Sequence, residues 1–474
     1  MNRQGGPAGP PFSLLYGADA GRRTRAARPP ASKETPMTET VRIDRMSYGS
    51  AGVGRLADGK TVFVDGAVPG DVAEVQLREE RPRFARASVS RLVEPSPDRV
   101  EAPCAAGCGG CPWAVLAYGA QLAAKRANVV DALVRTARLD AARAEELVAP
   151  CVPSKREWGY RNKLELACGA DEAGRLILGM RPEGGDRIVP LESCPLANRL
   201  IAGAPKALRG ALRFLAGNED LGIYRVGVRG SLRTKDVEVA LWTPPGPFPR
   251  AAAAKMLGSA CRNTSLVRVL AEPGRARKVK KVEALSGKGC WEEELSGARF
   301  LTSAPSFFQV NTAQAEKLVE LVLEGLEVEE GDYVADLYAG GGTFSVPLAA
   351  AGADVVAVEA AGSSVRDLRR NAERAGVEIE VVGGDAAREL PDLGDLDALV
   401  VDPPRAGLAD GVVASIAEAA PRRVAYVSCD PATWARDVAR FEEEGYRLAR
   451  TTPVDLFPQT YHVEVVSIFE RTRR

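Results

Sequence analysis

The sequence predicts an α/β protein in three parts: a small β-barrel, a central α+β region, and a C-terminal Rossmann-like, doubly wound parallel sheet. Three observations predict it. The stretch "GDYVADLYAGGGTFSVPLA" (331–349) runs from a hydrophobic strand through a glycine-rich turn into a helix. Strand–helix alternation then continues to the C-terminus, as in a doubly wound sheet. Between Thr40 and Val93 the pattern is instead five short alternating pieces split by Gly and Pro, the signature of a small closed barrel. A chain of 474 residues with 45% hydrophobic content has room for about three domains and a sizeable core.

Composition excludes several function classes. The 63 Lys+Arg balance 63 Asp+Glu, so any nucleic-acid binding must use local patches rather than a bulk field. No run of about 18 apolar residues exists, which argues against a membrane span. The single histidine, His462, leaves a Ser-His hydrolase or a His-based zinc site almost nothing to build with. Nine cysteines, an odd number, with no apolar leader segment read as reduced thiols in a cytoplasmic protein, expected to be a monomer.

Residues 1–36 are Pro/Gly/Arg-rich without periodicity and read as a disordered extension ahead of Met37; starts at Met1 and at Met37 are both compatible with this. Residues 37–95 carry the barrel. Its "YGSAGVGR…VFVDGAVPGDVAEVQL" resembles a TRAM domain, which implies an RNA-binding barrel. Residues 96–300 form the central region. It opens with Cys104, Cys108 and Cys111 on a Gly-rich loop, where backbone can wrap a cluster and donate N–H groups to sulfur. Cys194, in "LESCPLAN", is the candidate fourth ligand; an iron–sulfur cluster, a zinc knot and no metal at all stay open from the residues alone. Residues 113–148 read as one long helix. Tyr160–Lys163 and the run Arg268, Arg275, Arg277, Lys278, Lys280, Lys281 combine basic and aromatic groups suited to RNA, or else to a solvated surface.

Residues 301–474 carry the chemistry. The glycine turn is followed about twenty residues on by "DVVAVE", whose Glu359 stands where an acidic residue accepts from ribose hydroxyls. A nicotinamide dinucleotide is a competitor at that point. The following segments favour S-adenosylmethionine: Asp385 follows the third strand, where such enzymes meet adenine, and Asp402-Pro403-Pro404 follows the fourth, facing the transferred methyl. Arg405 replaces the aromatic found in amino-directed DNA enzymes, which argues against exocyclic-amine chemistry. Cys429 ends the fifth strand ahead of Asp430-Pro431, a helix N-cap and first-turn pair, and a helix N-terminus favours a thiolate. Uracil C5 needs such a thiolate, because only addition at C6 makes C5 nucleophilic; Glu464 on the last strand is the candidate base for the C5 proton.

Together "SFFQVN", "DLYAGGGTF", "VVAVE", "DPPRAG", "YVSCDPATWARD" and "FPQTYHVE" resemble the TRAM-domain RNA (uracil-5-)-methyltransferase family over residues 40–470. The resemblance implies that Gln309, Tyr338, Glu359 and Asp402 contact S-adenosylmethionine, that Cys429 is the nucleophile and Glu464 the base. It also implies a [4Fe–4S] cluster on Cys104, Cys108, Cys111 and Cys194, as in the subfamily that modifies large-subunit rRNA. The RNA partner is therefore expected to be rRNA in preference to tRNA. An RNA cytosine-5 methyltransferase would carry a cysteine where "PPRAG" stands here, and a non-catalytic RNA-binding protein would leave Cys429 and Glu464 without a role.

Overall fold

The computed structural model describes residues 38–182, 185–217, 219–274 and 278–472. The N-terminal extension, Arg275 and Arg277 lie outside them. Strands β1 (Thr38–Met46), β2 (Gly52–Arg55), β3 (Thr61–Asp65), β4 (Val72–Glu80) and β5 (Phe84–Glu94) close into a barrel in the order β1-β2-β3-β5-β4. Alternate residues Val41, Ile43, Val62, Val64, Ala73, Val75, Ala85 and Ala87 fill its interior, the period-2 pattern that closure requires.

Two helices follow in place of the single expected one, α1 (Tyr118–Arg135) and α2 (Ala141–Leu147). The break has a local cause. Arg138 adopts a left-handed φ of 62°, and Asp140 caps α2 by accepting from the N–H groups of Ala142 and Arg143. An aspartate that bonds backbone in a non-helical conformation ends one helix and starts the next.

The central sheet contains β6 (Lys163–Ala170), β7 (Leu176–Met180), β8 (Val189–Pro190), β9 (Arg225–Gly230), β10 (Val237–Thr243), β11 (Ser265–Ala271) and β12 (Val279–Gly287), in the order β12-β11-β10-β9-β6-β7-β8. Helices α3 (Ala204–Ala216) and α4 (Arg250–Cys261) pack Leu208, Leu212, Ala253 and Leu257 against one face of it. A hairpin, β13 (Trp291–Leu295) and β14 (Ala298–Thr302), then buries Trp291 and Phe300 against α5 (Thr312–Leu326).

The C-terminal sheet is built from β15 (Tyr333–Leu337), α6 (Ser345–Ala350), β16 (Asp354–Glu359), α7 (Gly362–Ala375), β17 (Ile379–Gly383), α8 (Ala386–Glu389), β18 (Ala398–Val401), α9 (Val412–Ala419), β19 (Arg423–Ser428), α10 (Pro431–Glu443), β20 (Tyr446–Val454) and β21 (Glu464–Arg471). The strand order is β17-β16-β15-β18-β19-β21-β20, with the first five parallel and β21 antiparallel to β19. Order reverses between β15 and β18, so the ligand crevice opens at the C-terminal ends of these strands. Helices α1, α9 and α10 cover one face of the sheet, while α5 and the β13–β14 hairpin cover the other. No helix among the described residues is long and apolar enough to cross a membrane.

Candidate active site

The crevice is shaped at the exit of β15. Tyr338 takes a left-handed φ of 65°, a conformation a bulky side chain holds only where surrounding structure imposes it. Gly342 follows at φ 93°, where an added Cβ would lie 2.6 Å from Leu368 Cδ1. Glu359, at the end of β16, grips this turn: its carboxylate accepts from Gly340 N–H at 2.9 Å and from Ala361 N–H at 2.5 Å. Asp385 caps α8, accepting from Ala387 N–H at 3.1 Å, and lies close enough to Tyr338 to help raise its phenol to about 12, after burial, the larger cause.

Asp336 Oδ1 in this region has no protein partner among the described residues, and neither does Gln309 Oε1, whose backbone carbonyl accepts from Asn162. Burying such groups unpaired is costly, so they fit a site that a polar ligand completes. Asp336 is fully buried at the β15 terminus, its other oxygen bonded to the Ser345 hydroxyl; burial raises its carboxyl to about 7. Asp402 sits beyond β18 and is likewise raised to about 7, by burial and then by Asp336. Asp402 also acts electrostatically on Cys429 and Glu464, so it joins the crevice to a second pocket.

That pocket holds Cys429, one residue past β19, and Glu464, the first residue of β21 and only 4% exposed. Ser428 pairs with Val465 in the ladder, which places the two next to each other at its end. The thiol differs from the sequence expectation. It is pushed up to about 12, chiefly by burial and then by Glu464 and Asp402, with Arg405 opposing them. The helix N-terminus does not counter this, because Asp430 spends its own carboxylate on the N–H groups of Ala432 and Thr433 at 3.0 and 3.1 Å. The cap that starts α10 thus cancels the positive end of the helix beside the sulfur and adds a nearby negative charge. Glu464 is raised well above the ordinary carboxylate range, by burial first and by Asp402 next. In the free protein, proton affinity is therefore high on both groups.

Three participants escaped the sequence reading. Asp336 was hidden inside a hydrophobic strand. Arg405 was visible in "DPPRAG" only as a departure from another pattern, yet its charge reaches Cys429, Glu464, His462 and Tyr48. Tyr48 comes from the barrel and donates its hydroxyl to the Cys429 carbonyl at 3.0 Å, and no local signal connects residues 381 positions apart.

The cysteines expected to share a metal do converge. Cys104, Cys108 and Cys194 all act electrostatically on Cys111, whose thiol burial and these neighbours push up to about 11. Among the described residues, however, no three thiols, imidazoles or carboxylates stand at metal-binding separation. Arg161 lies close to Cys111 and Cys194. The other polar groups of that strand entrance are internal wiring rather than open RNA contacts. Tyr160 donates to Pro458 O at 3.1 Å, Asn162 to Gln309 O at 2.8 Å and to Thr312 Oγ1 at 3.0 Å, and Lys163 pairs with Glu165 at 2.7 Å.

Comparison with known proteins decides the family. Residues 297–472 match the family model described as tRNA (Uracil-5-)-methyltransferase, and residues 37–90 match the TRAM domain. The chain is 38% identical over 460 residues to an uncharacterized RNA methyltransferase of Gloeobacter violaceus, covering 92% of this chain and 97% of the relative. It is 32% identical to the 23S rRNA (uracil(1939)-C(5))-methyltransferase RlmD of Shewanella amazonensis, covering 94% and 98%. The chain belongs to the TRAM-domain RNA (uracil-5-)-methyltransferase family. The crystal structure of Pyrococcus abyssi tRNA (uracil-54, C5)-methyltransferase in complex with S-adenosyl-L-homocysteine superposes with a TM-score of 0.70 at 26% identity, covering 90% of this chain and 99% of that one. A family member with this crevice is an S-adenosylmethionine-dependent enzyme, and the orphaned Gln309 and Asp336 oxygens fit that ligand.

Proposed function

We propose that the chain methylates C5 of a uridine in structured RNA, rRNA in preference to tRNA, through a covalent bond between Cys429 and C6 of the base. The observation that carries this reading is the placement of Cys429 beside Glu464 at the end of the β19–β21 ladder, joined through Asp402 to the crevice at β15 and β18. Gln309, Tyr338, Glu359, Asp385 and Asp402 would hold S-adenosylmethionine, which supplies an electrophilic methyl on sulfur when bound.

The chain's own residues do the rest. Cys429 loses its thiol proton to solvent and its sulfur, as thiolate, bonds to C6, moving the C5=C6 electron pair toward C5 and O4. Arg405, the positive group opposing the carboxylates around the pocket, favours the anionic forms this requires. After C5 has taken the methyl, Glu464 as carboxylate accepts the C5 proton; the double bond re-forms and the sulfur leaves C6 with its electron pair. Burial of Glu464 suits this step, since a base with raised proton affinity is stronger once it is ionised.

We further propose that Cys104, Cys108, Cys111 and Cys194 hold a [4Fe–4S] cluster. The support is their convergence on Cys111 and an all-thiolate donor set, which suits iron–sulfur chemistry. No step of the methyl transfer is assigned to it.

Glu464→Gln tests the reading. It is expected to accumulate a denaturant-resistant RNA–protein adduct carrying the new methyl, because addition does not need the base and elimination does. The adduct must vanish in Cys429→Ala/Glu464→Gln. Turnover by Cys429→Ala above about a thousandth of the parent enzyme overturns the nucleophile assignment. Mass mapping of rRNA and tRNA from a deletion strain identifies the RNA by its missing methyl.

A further inference from the structure

We infer that Tyr48 of the barrel is a positioning residue of the active site, clamping the Cys429 peptide while it walls the pocket beside Glu464. The inference rests on the reading of Cys429 as nucleophile, and it gives the barrel a task in the chemistry besides any contact with RNA.

The tip between β1 and β2 is built to be stiff. Ser47 N–H donates to Ala51 O at 3.0 Å, the Ser47 hydroxyl donates to the same carbonyl at 2.7 Å, and Gly49 N–H donates to Ser47 O at 2.8 Å. It is held from behind by Trp113, fully buried, whose indole N–H donates to Gly49 O at 2.9 Å. Met46, Val68, Trp113 and Leu116 form one apolar cluster with Tyr461 packed against it. Trp113 N–H also donates to Gln459 O at 3.1 Å, and Gln121 and Gln459 exchange two further hydrogen bonds at 2.9 and 3.0 Å. The barrel tip, the segment before α1 and the loop leading to Glu464 are thus one hydrogen-bonded unit.

Tyr48 projects from that unit into the pocket. Its ring stands edge-on to Tyr461 with centroids 5.6 Å apart, and Tyr461 in turn lies 4.2 Å from His462, two residues before Glu464. Its hydroxyl donates to the Cys429 carbonyl at 3.0 Å. Burial, then Asp430, Cys429 and Glu464, raise the proton affinity of its phenol and keep it a donor, against the opposing charge of Arg405; Glu464, Asp430 and Arg405 also act on the thiol. One side chain therefore touches the nucleophile's peptide and packs on the loop that carries the base. A carbonyl held by a donor on a stiff tip limits rotation of the Cys429 peptide, and so the direction in which its sulfur approaches C6. Misplacement of a reacting group by about 1 Å costs on the order of a hundredfold in rate, so this restraint bears on catalysis.

Tyr48→Phe keeps the ring and removes only the donor, so folding is little disturbed; Tyr48→Ala removes both. Under saturating RNA and S-adenosylmethionine, single-turnover methylation by Tyr48→Phe is expected to slow by about fivefold to twentyfold, a fraction of that full misplacement. RNA KM, cofactor affinity and melting temperature should stay near the parent values. Tyr48→Ala should be slower still. In the Glu464→Gln background, Tyr48→Phe should slow adduct accumulation without lowering its final yield, which a purely structural role would not do. Parent-like rates in Tyr48→Phe, or a loss confined to RNA KM, overturn the proposal. Absence of any adduct in Glu464→Gln itself removes the covalent reading instead, so the two failures are distinguishable.

Discussion

Glu464 stands beside Cys429 across the end of the β19–β21 ladder, and after burial it is the next cause of the thiol's raised proton affinity, with Asp402 adding to it from beyond β18. On the proposed mechanism, the consequence is a nucleophile held in reserve. A thiol near 12 is protonated in almost every free molecule at neutral pH. On that mechanism, binding of the uracil and of a positively charged sulfonium would release it. This separates the chemistry from casual oxidation or alkylation, which follow thiolate character.

The first prediction is the pH dependence of that reserve. With the folded pKa raised, thiolate is scarce below it and increases tenfold per pH unit as pH climbs toward it. Alkylation of Cys429 by iodoacetamide, followed by mass mapping of its peptide, should therefore rise about tenfold per unit from pH 7 to 9 with no plateau. Arg405→Gln removes the positive group that opposes the raised proton affinity of the thiol and should slow the reaction. A rise that flattens between about pH 8 and 9 in the parent protein would mean an ordinary thiol, and a plateau by about pH 8 an activated one; either would contradict the raised proton affinity.

Most of the scaffold around this pair was legible in the sequence, because its signals are local. The glycine turn after a hydrophobic strand, the Asp430-Pro431 helix start and the alternating barrel strands each follow from the preferences of a few adjacent residues. What was not legible depends on tertiary neighbours. "SCDP" suggests an activated thiol, yet Asp430 is consumed as a cap and Glu464 arrives from a different strand. The basic and aromatic "GYRNK" reads as an RNA surface, yet Asn162 is spent on Gln309 O and Tyr160 on Pro458 O. Tyr48 in "MSYGS" looks like a turn residue until the barrel docks.

A second prediction concerns the ion pair behind that docking. Lys125 on α1 and Asp455 in the approach to Glu464 are both fully buried and bonded to each other, and Lys125 also donates to Phe457 O at 3.1 Å. Lys125→Met leaves a buried carboxylate without its partner, and breaking such a pair costs about 3–5 kcal/mol. The urea midpoint should fall accordingly. Lys125→Met/Asp455→Leu should recover much of the stability, since a buried pair can be exchanged for apolar groups at little net cost. A double variant no more stable than the single one would show that Asp455 has a further role in holding the loop.

The third prediction concerns the cysteines. If Cys111 and the three thiols around it bind one [4Fe–4S] cluster, Cys194→Ser should bleach the brown colour of the purified protein as fully as Cys108→Ser, although Cys194 lies far along the chain. Iron content should approach about four per chain in the parent. A colourless parent with one zinc would replace the cluster by a structural zinc site. Methyl transfer measured on RNA bound at saturation should depend on the cluster only through the integrity of the fold.

The last prediction tests where RNA affinity resides. With formal net charge of zero, binding must come from local groups. The β11–β12 hairpin offers exposed cations, but Lys280 pairs with Glu272 at 3.0 Å and Lys281 approaches Glu283 at 3.7 Å. Exposed pairs of this kind are worth about 0–1 kcal/mol, so a phosphate can displace the carboxylates. For single-stranded RNA, each phosphate that a cation neutralises adds about 0.7 to the steepness of log affinity against log salt. Neutralising Arg277, Lys278, Lys280 and Lys281 together should therefore flatten the slope by about 1.4 if the two paired lysines keep their carboxylates, and by about 2.8 if all four reach RNA. Because β12 is the edge strand, separated from β6 by β11, β10 and β9, methylation at saturating RNA should survive the change. An unchanged slope would make this hairpin a solvated surface and leave RNA binding to the barrel and the pocket rim.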